Sequence, residues 1–529
     1  MVHVITQACC SDASCVSVCP VNCIHPTPGE PGFGGSDILH IDPDTCIDCG
    51  ACADACPVNA IFPIDRLGID DLPYAQINAD FYTDNPHIKS GWDAVEYRPA
   101  VTVGPEFQIA VVGTGPSAGY AVRELVARTD AHITVIDRLP TPGGLVRAGV
   151  APDHPGTKGV LAGFDLMYRH PRVTVATNVA VGTDVTPAEL DAHFDAVIYG
   201  VGASQARALG IPGEDLPGST AATELVAWYN AVPGVERPFP DAPARSRRAV
   251  IVGTGNVALD VARILLSPIE RLATTDIADR ALEYLARQNV HEVVLLGRRS
   301  SAEAAFTAAE FRALQAIEGL DIVVAEGVDG DGNPRVPAFP TPADPDRRRI
   351  VFLYQSSPVA ALGTDAVDAV RVRTAGVDHD IPADLLVRSI GYRSVPIEGL
   401  EFDDAAGRFP NRAGRLTGPD GAAQPGRYVV GWAKRGPSGG IGTNRIDAEE
   451  TVRSLLEDVS AGRLTGGRGL GSDTFVTLVG GRVGDVVDYR GLRWIDRTEV
   501  ARGAPQGRPR VKFERVSDML ASTRRGRRR

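Results

Sequence analysis

No cysteine occurs beyond Cys56 in this 529-residue chain, because all nine fall at or before that position. Disulfide bonding is thereby excluded from most of the molecule, and thiol chemistry is confined to the amino end. Residues 1–65 contain no lysine or arginine but eight acids: Asp12, Glu30, Asp37, Asp42, Asp44, Asp48, Asp54 and Asp65. Such a segment repels nucleic acid and should dock on basic surfaces. Lysine is scarce throughout, with Lys89, Lys158, Lys434 and Lys512 set against fifty arginines. This imbalance reads as coding bias, so no nucleic-acid partner is expected, and the basic end from Arg524 to Arg529 reads as a frayed terminus. No apolar run reaches membrane-spanning length, and the opening Met1-Val2-His3-Val4 has neither the basic nor the apolar region of a secretory signal. A cytoplasmic protein with no membrane partner is expected. The length, with 43% hydrophobic and 6% aromatic residues, suits about three globular domains rather than disorder.

The cysteines that are present are spaced for metal. Cys46, Cys49, Cys52 and Cys56, followed by Pro57, give C-x2-C-x2-C-x3-C-P, the spacing of iron–sulfur clusters. Two residues between thiolates let a tight turn present three sulfurs to one cubane, while the fourth cysteine turns toward a second cluster. A partner run is therefore expected upstream. There, Cys15-Val-Ser-Val-Cys19-Pro20-Val21-Asn22-Cys23-Ile24-His25-Pro26 matches Cys52-Ala-Asp-Ala-Cys56-Pro57-Val58-Asn59-Ala60-Ile61-Phe62-Pro63 nearly position for position, an internal duplication.

The copies differ in one ligand: Cys9, Asp12, Cys15 and Cys19 place a carboxylate where the second thiolate belongs. By the crossing rule, Cys46, Cys49, Cys52 and Cys19 hold a [4Fe-4S] cluster, and Cys9, Cys15 and Cys56 hold the other. An oxygen ligand binds iron less firmly than a thiolate, so the second is expected to be a [3Fe-4S] cluster or one that interconverts with a [4Fe-4S] form. Cys10 and Cys23 are left over, as substitute ligands or as small buried residues beside the clusters. A zinc site explains neither the successive threes nor the repeated Cys-Pro.

From 66 to 104 the periodicity is lost and the chain reads as a linker. Phe107-Gln-Ile-Ala-Val-Val112 then forms a buried parallel strand entering Gly113-Thr-Gly115-Pro-Ser-Ala118-Gly119 and a helix through Arg128. Gly113 and Gly115 permit a tight turn and close approach to a pyrophosphate, Ala118 allows helix–strand packing, and the helix start supplies a positive dipole. The following strand, His132 to Asp137, ends in an acid placed to hold a ribose hydroxyl. A second fingerprint runs from Arg248 through Gly253-Thr254-Gly255-Asn256-Val257-Ala258 to Arg263. Its ribose-reading strand, His291 to Gly297, ends in Arg298-Arg299, and guanidinium forks there suit a 2'-phosphate, selecting NADP over NAD. Buried strands at Asp195 to Ala203 and Leu385 to Tyr392 mark two crossings between domains. After the second, Gly431-Trp432-Ala-Lys-Arg435-Gly436-Pro-Ser-Gly439-Gly440-Ile441 precedes a helix from Asp447 to Ser460 and brings backbone N–H groups beside a flavin ring, where Trp432 can stack.

With these residues assembled, the chain from about 105 to 515 resembles the adrenodoxin reductase family of ferredoxin–NADP reductases. The resemblance rests on Leu139-Pro-Thr-Pro-Gly-Gly144-Leu145-Val146-Arg147-Ala-Gly-Val-Ala-Pro-Asp-His154-Pro, Gly255-Asn256-Val257-Ala-Leu-Asp-Val-Ala-Arg263, Gly297-Arg298-Arg299, Ser389-Ile-Gly-Tyr392 and the Gly431 to Gly439 segment. Residues 1–65 resemble seven- or eight-iron bacterial ferredoxins, and the order is similar to the fused ferredoxin/ferredoxin–NADP reductases. Ser300-Ser301 and Gly143-Gly144 depart from the family's usual Gly-Pro and its usual aromatic.

The resemblance implies an α+β ferredoxin domain (1–65), a linker (66–104), and an α/β flavoprotein with two Rossmann-like units. In the latter an FAD domain (105–207 and 388–529) is split by an NADP domain (208–387). It implies FAD contacts at Ala118, Asp137, Leu145, Val181, Trp432, Gly439, Gly440 and Ile441. NADP contacts are implied at Arg207, Thr254, Gly255, Asn256, Val257, Arg298, Arg299, Glu310 and Gly439, with His154 beside the flavin. The implied activity is NADPH:ferredoxin oxidoreduction, with an external ferredoxin or ferredoxin-dependent oxidase as partner. Alternatives are an electron-input subunit similar to the glutamate synthase small subunit, and a non-catalytic iron–sulfur sensor.

Overall fold

The computed structural model describes residues 2–33, 38–88, 102–238, 246–306, 308–315, 317–325 and 347–527. The sequence duplication at the amino end appears as repeated backbone geometry. Cys19 and Cys56 take nearly the same conformation, φ −76°, ψ 113° and φ −74°, ψ 114°, after the short helices Val16–Val18 and Ala51–Ala55. Asn22 and Asn59, three residues further on, are both left-handed, at φ 46° and 51°. An asparagine tolerates that region where most side chains do not. The turn lets the N–H of Cys23 donate to Cys19 Sγ at 3.4 Å and that of Ala60 donate to Cys56 Sγ at 3.2 Å. His3–Ile5 pairs antiparallel with Ile61–Pro63, and Ile24–His25 with His40–Ile41, closing the unit.

The amino-terminal unit does not end at residue 65. The expected linker contains a helix, Pro73–Asp84, that packs on the strands His3–Ile5 and His40–Ile41. Its buried Asn78 accepts from the N–H groups of Ile5 and Ile41 at 3.2 and 2.9 Å and donates to the Ile5 carbonyl at 2.9 Å. Tyr82 donates to the carbonyls of Cys23 and His40. Lys89 and the stretch to Val101 lie outside the described residues.

Two large sheets follow, the first mixed, with an antiparallel edge, and the second parallel throughout. The first has seven strands in the order Asn411–Arg412, Arg415–Thr417, Ala423–Val429, Ala196–Tyr199, Gln108–Val112, His132–Asp137, Val173–Thr177. Its central residues Ile109, Ala110 and Val111 are wholly buried, as a strand covered on both faces requires. The second has six parallel strands, Ser219–Ala221, Leu385–Arg388, Arg248–Val252, Glu292–Leu296, Arg348–Leu353 and Leu320–Ala325. The crossings between them pair with each other as an antiparallel ribbon, Gln205–Ala206 against Tyr392–Arg393. One sheet is thus inserted into the other's sequence, as the glycine turns and small-residue crossings imply. The carboxyl-terminal helices Ser472–Val483 and Tyr489–Gly503 return to the first sheet, and Val516–Arg527 packs on the latter. Arg524 is therefore helical and paired with Asp485 rather than frayed, and Arg528 and Arg529 lie outside the described residues.

Candidate functional site

The cysteines separate into two groups that exchange members across the repeat. Cys19, Cys46, Cys49 and Cys52 line one cavity with Cys23 and Ile47. Cys9, Cys15 and Cys56 interact with one another at a second centre. Cys23, unassigned by spacing, has its Sγ 3.4 Å from Cys19 Sγ. Its signal in the sequence was its place opposite Ala60 in the repeat. Burial pushes the Cys9 thiol up to about 11 and raises Cys15 well above its ordinary value. No lysine or arginine within residues 1–65 offsets a thiolate charge at Cys9 or Cys15, so a bound cation would favour their ionised form, and iron fits that donor set. Asp12 is buried and turned onto Ser14, accepting from its N–H at 3.0 Å and from its hydroxyl.

At the first sheet, Gly113 is left-handed at φ 103°, and a Cβ there would lie 2.3 Å from the Gly200 carbonyl oxygen, so only glycine serves. The helix Pro116–Arg128 follows, with Ala118 buried beneath Gly200. A Cβ on Gly144 would come 2.7 Å from the Gly115 Cα, which brings the loop carrying Leu145 against the turn. Asp137 ends its strand and accepts from Thr114 Oγ1 and the Leu139 N–H, and burial raises its pKa. Val181 lies half-buried against the core that contains Val112 and Ile136. On the facing side, Trp432 packs on Tyr392 with ring centres 5.5 Å apart. Its buried Nε1 has no partner among the described residues, nor has the Thr443 Oγ1. Gly439, at φ 77°, and Gly440 precede the helix Ile441–Ser460, and the position of a Gly440 Cβ is open space. Unsatisfied donors beside a helix start and an open glycine cradle fit an anionic dinucleotide carrying an isoalloxazine.

The second sheet repeats the device. Gly253 is at φ 121°, with the Ser389 carbonyl oxygen 2.2 Å from a built Cβ, while a Cβ on Gly255 meets nothing. Thr254 lies in this turn, and Asn256 and Val257 open the helix Asn256–Leu266. Arg298 and Arg299 are exposed just past Glu292–Leu296, with Arg299 3.8 Å from Glu303. Arg207 stands at the crossing ribbon, its guanidinium donating to the Tyr392 carbonyl at 3.3 Å.

An ion network that motif spacing did not disclose joins Asp153 of the first unit to the helix Asn256–Leu266 of the second. Arg263, 1% exposed, binds Asp153 at 2.8 Å, Asp260 at 2.7 Å and Glu310 at 3.2 Å. Glu310, expected at the NADP site, is thus engaged by Arg263. Burial and the adjacent Asp260 charge push its carboxyl up to about 7. A His154 ring nitrogen and carboxylate oxygens of Asp260 and Glu310 lie within 4.8 Å of one another. Burial and the Arg263 charge lower the His154 pKa, so the ring is neutral at pH 7.

Comparison with known proteins matches this arrangement. A 4Fe-4S binding domain family covers residues 39–62, and the pyridine nucleotide-disulphide oxidoreductase family covers residues 107–328. The probable ferredoxin/ferredoxin–NADP reductase of Mycobacterium tuberculosis is 44% identical, the alignment covering 99% of this chain and 95% of that one. NADPH-ferredoxin reductase FprA of Mycobacterium leprae is 42% identical over 78% of this chain and 97% of its own. The structure of Mycobacterium tuberculosis FprA in complex with NADPH superposes with a TM-score of 0.71 at 39% identity, covering 79% of this chain and 99% of that one. No described helix is long and apolar enough to cross a membrane. The chain belongs to the ferredoxin/ferredoxin–NADP reductase family, oxidoreductases in which a ferredoxin domain precedes an FprA-like two-sheet reductase.

Proposed function

We propose that this chain oxidises NADPH and delivers its electrons singly to an external ferredoxin or ferredoxin-dependent oxidase, with FAD and two iron–sulfur clusters as resident cofactors. Per turnover, NADPH yields NADP+, one proton and two electrons, so two one-electron acceptors are reduced. The bound cofactors supply the conversion of a hydride into single electrons. The residues supply binding and orientation. The turn at Gly113 and Gly115, with Ala118 and the Pro116–Arg128 helix, holds the FAD pyrophosphate; Asp137 takes its ribose. Leu145, Val181, Trp432, Gly439, Gly440 and Ile441 flank the flavin. Thr254, Gly255, Asn256 and Val257 cradle the NADP pyrophosphate, Arg298 and Arg299 hold the 2'-phosphate, and Arg207, Glu310 and Gly439 complete that site. Cys19, Cys46, Cys49 and Cys52 bind a [4Fe-4S] cluster. Cys9, Cys15 and Cys56, with Asp12 in the fourth place, bind a [3Fe-4S] cluster or an interconverting form.

One observation carries this reading: the cysteine loop of the amino-terminal unit lies directly against the dinucleotide domain, with the Gly442 N–H donating to the Cys10 carbonyl at 2.9 Å. The test is spectroscopic. Anaerobically purified protein should show flavin and iron–sulfur absorption, with a three-iron paramagnetic signal when oxidised. Asp12→Cys supplies the missing thiolate and should abolish that signal in favour of a second four-iron cluster. Colourless protein, or protein that leaves NADPH unoxidised with every one-electron acceptor offered, would refute the proposal.

A further inference from the structure

The two cysteine centres are placed differently with respect to the reductase. Cys10, Val58 and Ala60 share one hydrophobic core with Tyr120 and Phe164 of the first sheet's unit, and Cys9 and Cys56 pack against it. Cys19 and Cys46 belong only to the ferredoxin unit's own core, and Cys49 and Ile47 are exposed.

The polar contacts between the units gather on the loop around Asp12. Gly442, second residue of the helix Ile441–Ser460, gives its N–H to the Cys10 carbonyl, satisfying one of the donors that a helix start leaves free. One turn on, Arg445 donates through Nη1 to the Asp12 carbonyl and to Ser14 Oγ, both at 3.1 Å. Tyr120 donates to Asp12 Oδ2 at 3.5 Å. The approach is so close that a Cβ on Gly442 would lie 1.4 Å from the Ser11 carbonyl oxygen. A flexibly tethered carrier would need no such fit. Gly442 also directly follows Gly439, Gly440 and Ile441, the residues assigned to the flavin.

We propose that the first two turns of this helix are a built-in seat for the ferredoxin domain. It makes the Cys9/Cys15/Cys56 centre the port that faces the flavin and leaves the Cys19/Cys46/Cys49/Cys52 centre as the outward port to the acceptor. Arg445 is a positioning residue: it touches the loop, not the reacting atoms. The inference rests on the NADPH:ferredoxin reading above and adds the order in which the two centres are used, with one electron at a time passing inward to outward and two for each NADPH oxidised.

The test compares full-length holoprotein with Arg445→Ala and Arg445→Lys by hydrogen exchange and by anaerobic mixing with NADPH. Losing charge-assisted bonds to the loop should raise exchange of the amides around Asp12 about tenfold, while amides of the Ile61–Pro63 strand stay as they are. Flavin bleaching by NADPH should keep its wild-type rate, cluster bleaching should slow by about tenfold, and Arg445→Lys should recover part of both effects. Wild-type exchange in Arg445→Ala would overturn the seat, as would faster exchange with unslowed cluster reduction overturn the port. If Arg445→Ala does not accumulate, Arg445→Gln, which removes the charge but keeps a polar side chain, carries the same expectations. Clusters that NADPH never reduces even in the wild type would instead refute the functional reading, and the exchange measurement would still decide the seat.

Discussion

Arg298 and Arg299 carry the proposed role that rests most directly on sequence, because a strand ending in two guanidiniums in place of a carboxylate suits a 2'-phosphate. Each charge-assisted contact with a 2'-phosphate contributes about 1.5–3 kcal/mol. Replacing either with alanine should raise KM for NADPH about tenfold or more and leave that for NADH nearly unchanged, as steady-state kinetics with both nucleotides will show. Arg263 was not legible, because Asp153 and Glu310 stand on other segments and only folding brings them to the Asp260–Arg263 pair on one helix. Its neighbour Glu310 gives a pH prediction. Burial and Asp260 raise this carboxyl from 4.5 to about 7, so the folded state holds the proton more tightly than the unfolded. The associated stability is complete below pH 4.5 and is lost as pH rises through 7. Melting curves should show this decline in the wild type, and Glu310→Gln should flatten it.

At the scale of elements, the strands were legible where apolar runs enter glycine turns, as at Gln108–Val112 and Arg248–Val252. The helix Pro73–Asp84 was not, since among its buried residues are only Tyr74 and Asn78, too few for an apolar stripe. It is held by polar bonds to the backbone of two strands, a signal that appears only with those strands in place. Asn78→Ala removes the three bonds to these strands and a fourth to the Tyr74 carbonyl, and leaves buried N–H groups unpaired, costing about 2–4 kcal/mol. Denaturant unfolding should register that loss in the amino-terminal unit, with the dinucleotide sheets unaffected.

Across the whole molecule, three distant segments meet at one buried carboxylate. Asp276 of the inserted unit binds Lys158 of the first sheet's unit at 2.7 Å and Lys512 of the carboxyl-terminal segment at 2.9 Å. Burial would raise Asp276, but the two ammonium groups outweigh it and hold the carboxyl down to about 2. The joint is therefore fully stabilising above pH 3.8 and is lost as pH falls toward 2. Asp276→Asn leaves two lysines buried without their counter-charge and should destabilise the protein by about 3–5 kcal/mol, which thermal unfolding at neutral pH will measure. Charge composition gave no sign of this joint, since Lys158 and Lys512 are separated by most of the chain. The domain order was legible; the contacts that lock the domains were not.

In the proposed function, one polypeptide passes NADPH-derived electrons from its dinucleotide units to its cysteine-bound iron. Rapid anaerobic mixing of the wild type with NADPH, followed across the visible spectrum, tests it most directly. Loss of flavin absorbance followed by loss of iron–sulfur absorbance is predicted; a flavin that bleaches fully while the iron–sulfur spectrum stays oxidised would contradict the claim.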